Sequence, residues 1–287
     1  MYHKAYGIIE TQAPLHVGAT AGEETGNLNL IFREQFTQTG IIPGSSIRGR
    51  FRADMREKNG NVDFWYGKEA KKNKSDSGES KNNEDNNTSE GLIKFEYASL
   101  IWIPVYCPNQ PIVRVSCPSL LNRYQKIAGL PAKEFQPYSY FGQASSKTLF
   151  FNLGFLPLKT HDKDLKNYLP QEADRADKLL LLVVDDTEIS IIHDMALYRQ
   201  SRVALEHDKK KAKTGAFFDV EALPEGTVMI FPVAMRKKLV ENPVQWQQFI
   251  QEGKFQDKGE ELYFGGLESI GFGRTKVFLK SVSESDK

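Results

Sequence analysis

Three arginines recur at four-residue intervals in the segment 39–56, TGIIPGSSIRGRFRADMR: Arg48, Arg52 and Arg56. Side chains at this spacing lie on one side of an α-helix, where guanidinium groups can meet the phosphates of a nucleic acid. The start of such a helix favours anions, because its backbone N–H groups are unpaired and its dipole is positive there. The segment predicts a binding site for a phosphodiester backbone, with a solvated cationic face as the simpler interpretation.

The helix that carries these arginines has an apolar stripe, formed by Ile47, Phe51 and Met55. A proline–glycine turn at 43–44 precedes it. We predict a helix from about Ser46 to Lys58, with Ser45 or Ser46 as its N-cap residue. Gly49 lies inside this helix, where glycine costs roughly 1 kcal/mol relative to alanine, which indicates that another group approaches the backbone there.

Two further segments combine basic residues with features of nucleic-acid binding. Residues 199–221 (RQSRVALEHDKKKAKTGAFFDVE) predict an exposed two-stranded projection with a basic tip, formed by Lys209, Lys210 and Lys211. Residues 265–274 (GGLESIGFGR) predict a glycine-rich turn between two strands, in which Arg274 can meet a phosphate. A solvated hairpin and an ordinary tight turn are the alternatives for these two segments.

Residues suited to catalysis are few. His16 ends a predicted strand, and both a structural role and a role as a general base are open to it. Glu23 and Glu24 share a loop with Asn27 and Asn29, and two carboxylates there can hold Mg²⁺, although solvated carboxylates are the commoner arrangement. No histidine has a partner at metal-ligand spacing, and the sequence contains no nucleophile motif or phosphate-binding loop.

Composition limits the class of protein. The 287 residues are 40% hydrophobic and carry a net charge of +1, so a sizeable core is available and positive charge for nucleic acid must be local. Cys107 and Cys117 form no metal motif and are expected to be reduced thiols. We find no run of about 18 apolar residues and no apolar signal core near the N-terminus, and we expect a cytoplasmic protein.

Predicted strands and helices alternate irregularly along the chain, which predicts an α+β fold. Among the apolar runs, 148–156 predicts one buried strand and 185–198 predicts a helix. Residues 68–90 contain one alanine and no other apolar residue. Such a stretch buries too little surface to offset the entropy of ordering it, so we predict a disordered surface insertion.

Taken in order, the segments resemble the RAMP superfamily, the RNA-binding subunits of CRISPR effector complexes. They are most similar to the Cmr-type (also Csm-like) backbone subunit of type III complexes. REQFTQTGIIPGSSIRGRFR is similar to the family's TG.P.IPGSS.KG..R signature, SRVALEHDKKKAKTGAFFDVEALPEGTVM to its thumb hairpin, and GGLESIGFGRTKV to its terminal glycine-rich loop. The resemblance covers most of the chain outside 68–90.

The resemblance implies a single domain over residues 1–287, with a modified ferredoxin-like (RRM-type) palm and a protruding β-hairpin thumb. The palm comprises 1–67, 91–198 and 226–287, the thumb 199–225, and the insertion 68–90. In the family, copies stack head to tail along a guide RNA (crRNA), and each thumb pushes between guide and target RNA at every sixth nucleotide. The implied partners are guide RNA, target RNA and other subunits of an antiviral defence complex, without a membrane.

The residues assigned to RNA are His16, Arg33, Ser45, Ser46, Arg48, Arg50, Arg52, Lys209, Lys210, Lys211 and Arg274. The family cleaves target RNA with a loop aspartate and a divalent metal, and here this chain departs from the pattern. The aspartate position falls between Asn27 and Asn29, and no aspartate occurs in residues 1–53. Since asparagine cannot accept a proton or neutralise a metal, we expect a subunit that positions RNA with weak or no cleavage.

Three alternatives stay open at this point. The first is a Mg²⁺-dependent target-RNA endoribonuclease that uses Glu23 or Glu24. The second is a metal-independent endoribonuclease that processes the CRISPR transcript with His16 as general base. The third is a protein-interaction module that binds no RNA.

Overall fold

The computed structural model describes residues 2–18, 28–68, 88–152, 154–169, 179–205, 212–236 and 244–282. The fold is of the predicted α+β class, with one large sheet and few helices. The helices are α1 (Gly44–Glu57), α2 (Val62–Tyr66), α3 (Pro118–Ala128), α4 (Ile189–Ala196) and α5 (Val244–Glu252). Within these ranges, no helix is long and apolar enough to cross a bilayer.

The strands, in chain order, are β1 (Tyr2–Thr11), β2 (Leu28–Asn29), β3 (Ile93–Phe95), β4 (Ser99–Cys107), β5 (Gln110–Ser116), β6 (Ser139–Phe141), β7 (Thr148–Phe151), β8 (Gly154–Pro157), β9 (Thr160–His161), β10 (Leu180–Val183), β11 (Tyr198–Leu205), β12 (Ala212–Ala222), β13 (Val228–Arg236), β14 (Glu260–Tyr263) and β15 (Arg274–Ser281). The main sheet has the order β14-β15-β1-β13-β4-β5-β10-β6-β9, with β3 beside β13. Two smaller sheets are β11-β12-β2 and β7-β8.

The main sheet separates two apolar cores, because side chains alternate between the faces of each strand. Along β1, Ile9 belongs to the first core and Ile8 to the second. Helices α1, α4 and α5 contribute Phe51, Ile192 and Phe249 to the first core. Helix α3 covers the opposite face of the sheet and contributes to the second core.

Helix α1 forms where the sequence predicts it, but it begins differently. Its apolar stripe is fully buried, and the Phe51 ring lies 5.2 Å from that of Phe95 and 5.3 Å from that of Phe255. The N-cap residue is Pro43, and no side chain caps the helix. The prediction that Ser45 or Ser46 caps it is therefore wrong, because the helix starts two residues earlier and places both serines in its first turn.

The run 148–156 is a hairpin and not the single buried strand that its apolar composition predicts. Strands β7 and β8 pair antiparallel, and Gly154 has a φ of +136°, which disfavours other residues there. Leu149 and Phe151 are buried, whereas Phe150 and Phe155 lie opposite one another on the outer face. An apolar run hides this alternation because both faces of the hairpin carry apolar side chains.

The predicted helix 185–198 is shorter at both ends. Its first residues form a turn in which the Asp185 N–H donates to Glu188 Oε2 (3.1 Å) and the Thr187 N–H donates to Asp185 Oδ1 (3.0 Å). At the other end, Tyr198 begins β11 instead of closing the helix. Side-chain acceptors that bind nearby backbone donors compete with the helix in this way.

The two ends of the insertion meet at one point of the surface. The Lys68 N–H donates to Ser89 Oγ (2.9 Å), and the Ser89 N–H donates to the Lys68 carbonyl (3.2 Å). Residues 69–87 lie outside the described ranges, so the disorder of 68–90 stays a prediction. The division of the chain into palm, thumb and insertion likewise stays a prediction.

Candidate nucleic-acid interface

Helix α1 has two flanks beside its buried stripe: one lines a cleft, and the other contacts α2. Ser46, Gly49 and Arg50 lie three and four residues apart on one flank, which faces an open cleft. Arg48 and Arg52 lie on the opposite flank at helical spacing. The choice between the two flanks decides which cations of this helix are placed to meet a ligand.

The glycine-rich loop forms the other wall of the cleft. Gly265 has a φ of +78°, and a Cβ there would lie 2.1 Å from the His16 carbonyl oxygen. The Gly266 N–H donates to that same carbonyl (3.0 Å). Glycine is thus required at 265 for the loop to approach the chain at His16 so closely.

The cleft has a volume of about 460 Å³ and opens to solvent. It is lined by Val17, Gly18, Phe32, Ser46, Gly49, Arg50, Tyr263, Phe264, Gly265, Gly266 and Glu268. At both Gly49 and Gly266, an added Cβ would meet no atom within 4 Å, so both expose bare backbone to the cleft. This is the open space that the interior glycine of the predicted helix indicates.

Arg50 supplies positive charge at this cleft. Its side chain is half-buried, and its Nε is a buried donor without a hydrogen-bond partner in the described part of the protein. A guanidinium that lines an open cleft can form charge-assisted hydrogen bonds with an anionic acceptor there. Glu268 also lines the cleft and is exposed, so the cleft presents one cation and one carboxylate.

Arg48 has a structural role on the other flank. Its Nη2 donates to the carbonyl of Tyr66 (2.6 Å), and its guanidinium lies 6.0 Å from the centre of the Tyr66 ring. This contact joins α1 to α2. Arg48 and Arg52, which the sequence assigns to RNA, are thus absent from the lining of the cleft, whereas Arg50 is part of it.

The glycine-rich loop also packs on the base of the β11–β12 hairpin. Phe272 is buried against Val220 and Ala222 of β12. The Arg202 guanidinium lies 4.9 Å from the centre of the Phe272 ring, and Tyr198 contacts that ring edge-on at 5.9 Å. One loop thus contacts the hairpin base and lines the cleft with α1, so that the three elements form a continuous surface.

A closed ring of four charges lies at the base of the same hairpin. Arg33 donates to Asp194 Oδ1 (2.6 Å) and to both carboxylate oxygens of Glu221 (3.0 Å each). Arg199 donates to Glu221 Oε1 (3.1 Å) and to Asp194 Oδ2 (3.3 Å). Although partial burial raises the pKa of Asp194, the Arg33 guanidinium holds it below its usual value. Arg33, assigned above to RNA, is therefore neutralised by carboxylates of the protein.

A family model for the RAMP superfamily matches residues 8–276. The chain belongs to the RAMP superfamily. The match spans nearly the whole chain, which confirms the resemblance drawn from its motifs.

Solved structures with a similar fold include a chain of a type III-B complex and two structures of Cmr4. A chain of a type III-B Cmr-beta complex bound to cognate target RNA has a TM-score of 0.67 at 19% identity, over 96% of this chain and 96% of that chain. Cmr4 has a TM-score of 0.64 at 16% identity, over 98% of this chain and 100% of that one. Oligomeric Cmr4 from Pyrococcus furiosus has a TM-score of 0.65 at 16% identity, over 99% and 100%. No curated protein sequence matches significantly.

Two further predicted residues of this RAMP chain lie near the cleft walls. His16 Nδ1 donates to the Glu221 carbonyl (2.7 Å), which leaves Nε2 unprotonated in the neutral ring. Arg274 is exposed, and its Nη2 donates to the Gln12 carbonyl (3.2 Å). Its Nη1 lies 3.8 Å from Glu261 Oε2, so Arg274 has a carboxylate beside it. Ser45 is exposed in the first turn of α1.

Several predicted residues lie outside the described part of this RAMP chain: Glu23, Glu24, Asn27, Lys209, Lys210 and Lys211. Asn29 is described and lies exposed on β2, which runs parallel to β12 of the hairpin. Among the described residues, no group of three or more His, Cys, Asp or Glu side chains is arranged to hold a metal ion.

Sequence reasoning missed His193, Asp194, Arg199 and Glu221. His193 is buried, and its Nε2 accepts a hydrogen bond from the Gly40 N–H (2.9 Å). Burial, with the nearby Arg33 and Arg199 cations, lowers its pKa to about 3. Of these four residues, only Glu221 could have been found from the sequence, because it aligns with the glutamate of the thumb motif (GAFFDVEALPEGT).

Proposed function

We propose that this chain is a guide-RNA-binding backbone subunit of a type III CRISPR effector complex, which positions target RNA for antiviral defence. The cleft between α1 and the glycine-rich loop holds the sugar–phosphate backbone of the guide. The observation that carries this proposal is the pair of bare backbone positions, Gly49 and Gly266, beside the Arg50 guanidinium. Close backbone approach and a charge-assisted donor are what phosphate recognition needs.

The surrounding surface supports a strand that continues past the cleft. The glycine-rich loop joins the cleft to the hairpin base, where a guide strand leaving the cleft meets Tyr198 and Arg202. A near-neutral chain can bind RNA in this way because the charge that matters is local. The RAMP fold, shared with a complex bound to cognate target RNA, agrees with this function.

The experiment is RNA binding by the Arg50→Glu variant, with Lys126→Glu as its matched control. Lys126 is an exposed lysine on α3, which covers the opposite face of the sheet. We expect Arg50→Glu to lose short RNA on purification with its partner subunits and to reduce the slope of log K against log salt by about one unit. Lys126→Glu should leave both unchanged. Equal RNA retention by both variants, or no RNA in the wild-type complex, would remove the proposal.

We propose further that the subunit positions target RNA and cleaves it weakly or not at all. This rests on the lack of any aspartate in residues 1–53 and on Asn29, whose amide cannot act as a base. Assembled complex should leave target RNA intact in Mg²⁺, without cuts at the spacing of the thumbs. Regular cuts that disappear in Glu23→Ala or Glu24→Ala would instead establish the metal-dependent nuclease.

A further inference from the structure

The two walls of the cleft between α1 and the glycine-rich loop differ in their hydrogen-bonding chemistry. On the α1 wall, the Ser46 hydroxyl and the Arg50 guanidinium lie one helical turn apart, and both can donate hydrogen bonds. On the loop wall, Glu268 is exposed, and its ionised carboxylate can only accept them. The cleft therefore suits a ligand that has acceptors on one side and a donor on the other.

The backbone of the glycine-rich loop holds Glu268 at this wall. Leu267, the residue before it, has a φ of +68°, a left-handed conformation that residues other than glycine seldom adopt. The Leu267 side chain packs on the buried Phe272 at the hairpin base, and the Gly271 N–H donates to the Glu268 carbonyl (3.0 Å). Such a conformation persists only where its surroundings impose it, and it is common at ligand sites. Glu268 thus lines the cleft from a turn that packing fixes.

A carboxylate in a cleft for RNA opposes phosphates by charge and favours hydrogen-bond donors. The phosphates of a single strand offer acceptors, which match Ser46 and Arg50. Its donors are the amino and imino groups of the bases, which differ from one base to the next, and the ribose 2′-hydroxyl, which every nucleotide carries. Because the ribose is bonded to the phosphate, a strand whose backbone lies against the bare glycines brings this hydroxyl to the same cleft.

We propose that Glu268 accepts a hydrogen bond from a ribose 2′-hydroxyl and so makes the cleft select RNA over DNA. The inference rests on the proposed function, since it requires the sugar–phosphate backbone of the strand to lie in the cleft. A deoxyribose strand has no hydroxyl at this position. It leaves the carboxylate without a donor and close to phosphate charge, and both effects reject DNA.

Sugar-modified oligonucleotides test this contact. The full chain is titrated at fixed salt against labelled single strands of two sequences, each made with ribose, 2′-deoxyribose or 2′-fluororibose and with uracil kept throughout. The 2′-fluoro strand retains the sugar conformation of RNA but has no hydroxyl proton. We expect wild type to bind the ribose strand about tenfold more tightly than either of the others, as loss of one hydrogen bond to a charged group predicts.

Three variants assign the preference to a residue. Glu268→Ala should reduce it to about twofold or less, with weaker binding of the ribose strand and equal or tighter binding of the deoxyribose strand. Glu268→Gln retains an acceptor oxygen and should retain part of the preference. Glu134→Ala removes an exposed carboxylate from the segment that follows α3, and as the control it should bind all strands as wild type does.

The outcomes distinguish this inference from the proposed function. If Glu268→Ala kept the wild-type preference, or lost affinity equally for the three sugars, Glu268 would not recognise the ribose and only this inference would fail. Affinities that followed the base sequence and not the sugar would place a base edge at Glu268 and would also overturn it. If wild type bound no strand, or if Arg50→Glu bound every strand as tightly as wild type, the proposed function would fail and this inference with it.

Discussion

Two arginine environments of this chain differ in what surrounds the guanidinium. Around Arg33, two carboxylates and a second arginine close a ring of alternating charges, in which the Glu221 side chain is only 1% exposed. Around Arg50, the described residues offer bare glycine backbone and open space, and the exposed Glu268 is the one carboxylate among the described residues that line the cleft. The first arrangement satisfies its own charges, and under the proposed function a phosphate of the guide completes the second.

The difference concerns which arginines of the motif have charge left over for an external ligand. A guanidinium engaged by two protein carboxylates contributes to folding, since breaking its pair with Glu221 leaves a buried charge. A guanidinium with an unpaired donor at an open cleft is placed for recognition. The carboxylates near an arginine therefore matter more for its role than its position within a motif.

The largest expected effect comes from opening the charge ring. Arg33→Met leaves Glu221 with one cation instead of two, and we expect the free energy of unfolding to fall by about 3 kcal/mol. Urea denaturation measures this change. Arg236→Met, which removes an exposed ion pair with Glu90, is the control and should cost less than about 1 kcal/mol. If Arg33→Met kept full stability and lost RNA binding, Arg33 would be a binding residue and not a structural one.

The second effect is a pH dependence from His193, which lies against the ring and faces Arg33, Asp194, Arg199 and the Gly40 N–H. Its pKa in the folded protein is about 3, below the usual 6.5. As the pH falls below 6.5, the unfolded chain binds a proton that the folded protein excludes, so this contribution is present above 6.5 and is lost progressively towards pH 3. At pH 5, His193 should reduce the free energy of unfolding by about 2 kcal/mol.

His193→Gln separates this group from the others that titrate. Its amide oxygen can accept the Gly40 N–H but does not ionise in this range. Denaturation at pH 7 and pH 5 should therefore show a smaller loss of stability on acidification in the variant than in wild type. The same acid sensitivity in both proteins would show that His193 is not responsible.

At Gly49, which lines the cleft beside Arg50, we expect a substitution to change stability and RNA affinity in opposite directions. Gly49→Ala meets no atom within 4 Å, and alanine is the better helix former, so the free energy of unfolding should rise by about 1 kcal/mol. The added methyl group projects into the cleft, so the affinity for RNA should fall. Lys126→Ala, at an exposed position of α3, is the control. Gly49→Ala that gains both stability and RNA affinity would place the RNA elsewhere.

How far the sequence alone predicts this site follows from what spacing can encode. Ile47, Phe51 and Met55 recur every four residues, and this local spacing correctly predicted that they are buried. The position of α2 decides which flank of α1 stays open, because the Tyr66 carbonyl of α2 binds Arg48. The spacing of residues within α1 contains no information about α2. The pairing of Arg33 with Glu221 joins residues 188 positions apart, so no local pattern reveals it.

The smallest expected effect on RNA comes from Arg48→Gln, and it is the most direct comparison with Arg50 because both residues lie on α1. The side chain of Arg48 is engaged with Tyr66 on the flank away from the cleft, so its loss should cost about 1 kcal/mol of stability, the value of one hydrogen bond. The affinity for RNA should change by less than about twofold, whereas Arg50→Gln should weaken it several-fold, as loss of a charge-assisted contact predicts. Salt titration of both variants distinguishes the roles, because only a residue that contacts phosphate changes the slope. If Arg48→Gln reduced the slope and Arg50→Gln did not, the guide would follow the other flank of the helix and the cleft would need another ligand.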